Sequence, residues 1–209
     1  MTQWVEDSTG GRERGPVALV RAWTAMVRRP RQFFRGGIAP GDQAPGLIFA
    51  SMVVLVEEAS RYLVVELAAR DLLSTGPFPY PAIGGFTPGV AVLAVLGIIV
   101  FVTPATVHLT AALQTLLLVP VAPDRGGVSE TVQVVCYAMA PCVLAGLPSP
   151  ELRVLVTAWG AALYVVGTAV VHELRTPVAA PVAALPAAIV FGYGFRGFDA
   201  ATRLVGSGF

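Results

Sequence analysis

Apolar segments of about bilayer length occupy most of the chain after residue 45. A helix of roughly 20 apolar residues crosses the hydrocarbon core of a membrane, and a water-soluble domain does not need that length without polar interruption. Only 13% of the 209 residues are charged, about half the share in a typical soluble domain. A core of this size could not hide so much apolar surface from water, so lipid must cover part of it. The sequence therefore predicts an all-α, polytopic integral membrane protein.

Stretches rich in proline and glycine divide the apolar region into five predicted transmembrane helices. The second of them is about 45 Å long if it is straight, so we expect it to tilt, to kink at Pro104 or to project into the cytoplasm. The five helices lie at approximately residues 46–67, 90–119, 130–147, 151–172 and 177–195, within a transmembrane domain at 46–196.

Two segments outside these helices have their own predictions. Residues 74–89 carry four prolines and four glycines, which predicts an ordered external loop with Phe78, Tyr80 and Phe86 at headgroup level. Residues 197–209 are predicted to be a C-terminal tail.

The N-terminal region combines a polar tail with an amphipathic segment. Residues 1–15 are predicted to be disordered, and residues 16–35 to form an amphipathic interfacial helix that Pro30 breaks or kinks. An alternative, compatible with this one, is a helix packed on the cytoplasmic ends of the spans. At the interface, five arginines would meet anionic lipid headgroups or a cytoplasmic partner rather than nucleic acid. They are Arg21, Arg28, Arg29, Arg31 and Arg35.

The distribution of arginine favours a cytoplasmic N-terminus. Seven arginines lie between Arg12 and Arg35, against the single acid Glu13. By the positive-inside rule this region stays in the cytoplasm, and five spans then place the C-terminus outside the cell membrane. Without these seven, the loop arginines number two inside and four outside, which argues weakly for the opposite orientation.

Polar side chains inside the first two predicted spans need a physical explanation. Each charge at mid-membrane depth costs about 2.5–3.5 kcal/mol on the insertion scale, so these residues must face the bundle interior or a hydrated groove. In the functional hypothesis they bind a cation, carry protons or recognise a headgroup or partner; in the alternative they pair with one another and only fix packing. The residues are Glu57, Glu58, Arg61, Tyr62 and Glu66 in the first span, and Thr106, His108 and Gln114 in the second.

Motifs of catalytic and metal sites are missing from the sequence. It has no GxSxG, HExxH, P-loop or GxGxxG followed by a suitable acid. The two cysteines, Cys136 and Cys142, share one apolar segment and lack metal-binding spacing. We therefore expect a protein that is not an enzyme and holds no cofactor or metal.

A series of short motifs resembles the Yip1 domain family over roughly residues 27–196. Pro30 is followed by the aromatic pair Phe33–Phe34 just before the first span. Tyr137 and Pro141 form a Tyr-Ala-x-x-Pro motif, and His172 ends the fourth span. The order of the motifs carries the resemblance, together with His108, the glycine-containing loop at 124–127, and Ser129 with Glu130.

The resemblance implies five spans, a cytoplasmic N-terminus and an adaptor or membrane-organising role. Eukaryotic members of the family look like membrane adaptors that engage small Rab-type GTPases and vesicle machinery. This compact chain without lysine looks prokaryotic, where those partners are lacking. Membrane lipids and a membrane or cytoplasmic protein are the expected partners, and a homo-oligomer is compatible with them. The rival hypothesis is a small-solute or ion pathway lined by the intramembrane polar residues, and a third is an intramembrane enzyme acting on lipid.

Overall fold

The computed structural model describes residues 5–6, 12–13, 15–69, 88–123 and 125–206, and the side chains within 15–64, 89–123 and 125–206. In these ranges the chain is helical, apart from an antiparallel pairing of β1 (Val5–Glu6) with β2 (Arg12–Glu13). Several sequence predictions lie outside the described residues. They are most of the tail at 1–15, most of the loop at 74–89 with Phe78, Tyr80 and Phe86, and the side chain of Glu66.

The helices follow the apolar segments of the sequence. Three of them continue into other helical types: α4 runs through a first π segment (Ile98–Val102), α8 into a second π segment (Ala188–Gly194), and α6 into a 3-10 segment (Ala140–Leu144). The α-helices are α1 (Pro16–Arg28), α2 (Pro30–Gly36), α3 (Ala44–Ala69), α4 (Pro88–Gly97), α5 (Thr103–Leu118), α6 (Val128–Ala138), α7 (Pro150–Val171), α8 (Thr176–Ala187) and α9 (Gly197–Gly206).

The protein is membrane-embedded. Within the described residues, three helices are long and apolar enough to cross a bilayer, namely Gly89–Leu118, Pro150–Val171 and Thr176–Gly194. The helix α3 has sufficient length but carries several charges, and the apolar helix Val128–Leu144 is shorter than the other three. The count of five spans therefore stays a prediction.

The helix α6 lies at the centre of the bundle. Every residue from Thr131 to Cys142 is buried, and α6 packs against α3, α5 and α7. Because Pro141 has no N–H to donate to the carbonyl of Tyr137, the α-helix ends at Ala138 and the chain continues as the tighter 3-10 segment. A helix surrounded by protein needs no lipid-facing surface, so it can be shorter than a bilayer span.

The helix α1 packs on the bundle beside this break in α6. A stripe of Ala18, Ala22 and Met26 is buried, and the indole N–H of Trp23 donates a 2.7 Å hydrogen bond to the carbonyl oxygen of Ala140. The chain breaks at the residue before Pro30, as expected from the fixed proline ring. These contacts tie α1 to the other helices, and its position at the membrane interface stays a prediction.

Within the predicted C-terminal tail, the chain is helical over Gly197–Gly206. The backbone of Arg196 is left-handed, with φ of 59°, which turns the chain back so that α9 packs on α7. Gly197 permits this return, because a Cβ there would lie 2.7 Å from both the Phe191 carbonyl oxygen and the Thr157 hydroxyl.

Candidate functional site

Five charged side chains meet at the end of the bundle where α7 begins. Glu57, Glu58 and Arg61 come from α3, Arg153 lies in the first turn of α7, and Arg196 follows the second π segment. We call these five residues the buried charge cluster. The three α3 residues are at most 6% exposed and Arg153 is 1% exposed.

Glu58 forms ion pairs with two arginines, one on its own helix and one from another element. Arg61, three residues further along α3, donates from Nη2 to the Glu58 carboxylate. Nη2 of Arg196 lies 3.9 Å from the other carboxylate oxygen of Glu58. A buried charge without a partner costs several kcal/mol, so this pairing explains how α3 carries ionisable residues inside an apolar bundle.

Glu57 lies in the field of two arginines from other elements. Both Arg196 and Arg153 act on it electrostatically, and Arg153 is oriented by a 2.8 Å hydrogen bond from its Nε to the carbonyl oxygen of Ala145. The backbones approach closely here, because a Cβ at Gly146 would collide with the carbonyl group of Glu57. The cluster thus joins α3 to the segment between α6 and α7.

A small cavity of about 110 Å³ adjoins the two acids. Its polar lining consists of Glu57, Glu58, Thr103 and Thr106, and the rest of the lining includes residues of both π segments. Tyr62 is half-buried and is not among the lining residues. The volume holds several water molecules or one small polar group, and π segments occur frequently at functional sites.

The other polar residues predicted in the second span lie apart from this cavity. His108 is exposed, with Nδ1 2.7 Å from the carbonyl oxygen of Pro104 and Nε2 2.9 Å from Oε1 of Gln43. Gln114 is buried and accepts a 2.9 Å hydrogen bond from the hydroxyl of Tyr164. The structure therefore brings Thr106 to the acids but gives His108 and Gln114 partners of their own.

A second candidate site is the aromatic–arginine segment, residues 28–35. The Phe33 ring packs edge-on against Tyr137 of α6, with centroids 4.8 Å apart and an interplanar angle of 72°. The Phe34 ring fills the space above Gly167 of α7, where a Cβ would come within 2.7 Å of it. Both rings are at most 3% exposed, so the segment is anchored in the bundle core.

The arginines of this region point away from the core. Pro30 separates α1 from α2, and arginines occupy both sides of the break. All five arginines predicted to contact headgroups or a partner are exposed: Arg21, Arg28, Arg29, Arg31 and Arg35.

His172 caps the C-terminal end of α7. It is 2% exposed, and its Nε2 lies 3.4 Å from the hydroxyl of Thr131 on α6. Burial, with a smaller contribution from Arg125, lowers the pKa of His172 to about 4, so the ring is neutral at pH 7. Within the described part of the chain, no three His, Cys, Asp or Glu side chains come close enough to hold a metal ion.

The sequence profile of the Yip1 domain matches residues 24–195. This match covers most of the chain and includes the aromatic–arginine segment, Glu57, Glu58 and His172. The chain belongs to the Yip1 domain family. Comparisons with curated proteins and with solved structures gave no match.

The residues that carry the resemblance in the sequence gather around α6. Phe33 and Phe34 contact each other, with centroids 6.1 Å apart, and Phe33 contacts Tyr137. Pro141 ends α6 one turn further on, and His172 reaches the start of the same helix through Thr131. In this Yip1 domain these residues therefore lie on the central helix or pack against it, and they do not line the cavity beside the acids.

Sequence reasoning missed two members of the buried charge cluster. It counted Arg153 and Arg196 only as loop arginines on the outer side. A cation in the first turn of a helix is disfavoured by the helix dipole, and Arg153 stands in that turn of α7. This was an available indication that Arg153 lies near an acid, whereas no local sequence feature distinguishes Arg196.

Proposed function

We propose that this Yip1-domain protein is a non-enzymatic membrane adaptor or membrane-organising protein. In this proposal the aromatic–arginine segment presents a fixed cationic surface to anionic headgroups or to a cytoplasmic protein. The observation that carries it is the contrast within one short segment, in which Phe33 and Phe34 are buried in the bundle while Arg28, Arg29 and Arg31 are exposed.

The segment is held on both sides of its turn. The backbone N–H of Ala39 donates to Oε1 of Gln133 at 3.0 Å, and Nε2 of Gln133 donates back to the Ala39 carbonyl oxygen at 2.7 Å. Trp23 fixes α1 on the other side through Ala140. A surface that is ordered before binding loses less conformational entropy when a partner arrives, which suits an adaptor.

The proposal includes the full topology predicted from the sequence. The arginine-rich N-terminus lies in the cytoplasm, and five spans, with α3 and the short central α6 counted among them, then place the C-terminus outside the cell membrane. With this orientation the exposed arginines of α2 face the anionic cytoplasmic leaflet, whose potential attracts each arginine by about 1 kcal/mol.

Site-specific photocrosslinking in native membranes tests the adaptor role. A photoreactive amino acid replaces Gln32, which is exposed between the arginines, and a control probe replaces the lipid-facing Leu109. We expect one defined protein to be captured from position 32 but not from 109, and the paired change Arg28→Glu with Arg29→Glu to abolish its capture. Capture of lipid alone from both positions would contradict the adaptor role.

The cavity beside Glu57 and Glu58 favours a second candidate function, a small-solute or ion pathway. Against it, Glu58 is ion-paired to two arginines, and His108 and Gln114 lie outside the cavity lining. The flux of small solutes or ions into proteoliposomes distinguishes the two functions. The pathway predicts a flux that disappears in the Glu57→Gln variant, and the adaptor predicts no flux with either chain.

A further inference from the structure

Two cavities lie end to end along the hairpin of α7 and α8. One, of about 250 Å³, we call the basic pocket. Arg31 and Arg35 of α2 form one wall, and the end of α7 and the turn into α8 form the other, with Glu173 and Thr176. The apolar residues Val166, Ala169, Val170 and Leu174 complete its lining.

The other cavity, of about 540 Å³, we call the alanine groove. It runs between α7, α8, the second π segment and the start of α9, and its lining is almost entirely apolar. Ala158, Ala162 and Ala184 are among its exposed residues, so the groove opens on the outer face of the bundle. In a membrane-embedded protein this face meets hydrocarbon.

The alanine groove begins one helical turn away from the basic pocket. Ala180 of α8 lines the groove, and Thr176, one helical turn earlier on the same face, lines the pocket. On α7, Val165 lines the groove and Ala169, one turn later, lines the pocket. One face of the antiparallel hairpin therefore carries a polar, arginine-walled end and a long apolar remainder.

This combination matches the chemistry of an anionic phospholipid. Guanidinium groups bind phosphate through charge-assisted hydrogen bonds, and Arg31 and Arg35 are both exposed toward one pocket. An apolar groove that starts one helical turn away is suited to an acyl chain. We infer that this hairpin is a phospholipid site, in which Arg31 and Arg35 bind the phosphate and one acyl chain lies in the alanine groove.

Glu173 limits the affinity of the site. Its carboxylate lines the same pocket and opposes an anion, so the pocket holds two positive charges against one negative. Its backbone is left-handed, with φ of 54°, at the turn between α7 and α8. The lipid site requires only that the protein is membrane-embedded, and it stands whether or not the aromatic–arginine segment has a protein partner.

The first test is native mass spectrometry of the full chain released from bilayers containing equal amounts of phosphatidylglycerol and phosphatidylcholine. We expect the wild type to retain one phosphatidylglycerol. The paired change Arg31→Gln with Arg35→Gln should reduce the retained fraction roughly tenfold or more, since each arginine near an anionic headgroup is worth about a factor of five.

The matched control is Arg28→Gln with Arg29→Gln, which removes the same charge from exposed residues outside the pocket. It should leave lipid retention unchanged. Equal losses in the two paired variants would overturn the proposal, because the attraction would then be general. Equal retention of phosphatidylcholine would also overturn it.

The groove is tested without changing charge. Ala184→Phe fills the groove and should abolish retention of phosphatidylglycerol, while Leu109→Phe on another lipid-facing surface should not. Ala180→Leu gives the same test with a smaller change if the first variant does not fold, as judged by its thermal unfolding. If Ala184→Phe dissociates a dimer and leaves lipid retention intact, the groove is an interface between two copies, and the proposal is wrong.

A last variant changes the charge of the basic pocket. Glu173→Gln removes the carboxylate that opposes the phosphate and should raise retention of phosphatidylglycerol severalfold.

Discussion

The two candidate sites of this Yip1 domain combine charge with apolar packing in opposite ways. In the buried charge cluster, the ionisable groups face inward and meet one another, as Glu58 does with Arg61 and Arg196. In the aromatic–arginine segment, Phe33 and Phe34 face inward and the arginines face outward. Charges that are already paired specify packing, whereas charges on an anchored surface remain available to a ligand.

The largest expected effect comes from breaking the buried pairing. Glu58→Leu leaves Arg61 buried without its carboxylate, and we expect a loss of about 3–5 kcal/mol in the free energy of unfolding. The double variant Glu58→Leu with Arg61→Leu should recover much of this loss, because the buried charge of Arg61 is removed with its partner, while the half-buried Arg196 keeps Glu57 nearby. Reversible unfolding in mixed micelles measures both. If the single and double variants were equally destabilised, the ion pair would not be the cause.

Removing an aromatic ring that anchors the aromatic–arginine segment should have the next largest effect on stability. Phe34→Ala leaves an empty space above Gly167 in the core, so we expect a loss of about 3 kcal/mol in the same unfolding assay. Leu109→Ala, at a side chain 73% exposed to the surroundings of the bundle, is the matched control and should change stability little. Comparable losses in the two variants would show that the ring is not an anchor.

Acidification tests a buried group outside both sites, His172. The pKa of His172 falls to about 4 in the folded protein against an ordinary 6.5, so the unfolded chain binds more protons between these values. Stability is therefore fully present above pH 6.5 and is lost as the pH falls toward 4, by on the order of 2 kcal/mol at pH 5. In His172→Gln this slope should be absent. A wild-type slope that persisted in the variant would have to come from another group.

The smallest effect on stability is expected at the exposed arginines. Arg28→Gln and Arg29→Gln should each change the free energy of unfolding by less than about 0.5 kcal/mol. Capture of the defined protein from position 32 should nevertheless weaken, because both arginines belong to the proposed partner surface. A large loss of stability would show that these side chains are part of the packing, and the contrast between the two sites would then fail.

The regular part of the fold is well predicted from the sequence. The predicted helices at 151–172 and 177–195 differ by about one residue from Pro150–Val171 and Thr176–Gly194, because length and hydropathy are local properties. The break at Pro30 is also local, since it follows from the proline ring.

Other features depend on tertiary structure. The pairing of Glu58 with Arg196 joins residues far apart in sequence, and no periodicity contains that information. The central position of α6 was equally hidden, because a helix buried on all sides and a lipid-facing helix share the same apolar composition. The helix α9 was not predicted from the sequence. A glycine such as Gly197 is typical of a turn, and the sequence does not reveal that it is needed here for close contact with Phe191 and Thr157.

The two π segments have a consequence for sequence variation within the family. A π turn contains about one residue more than an α turn, so each segment amounts to a single-residue insertion in a membrane helix. Deleting one residue from Ile98–Val102 or from Ala188–Gly194 would restore a regular helix and rotate one side of it by about 100°. Both insertions border the cavity beside Glu57 and Glu58. We therefore expect that evolution can open or close this cavity by gaining or losing one codon, without replacing any residue of the charge cluster.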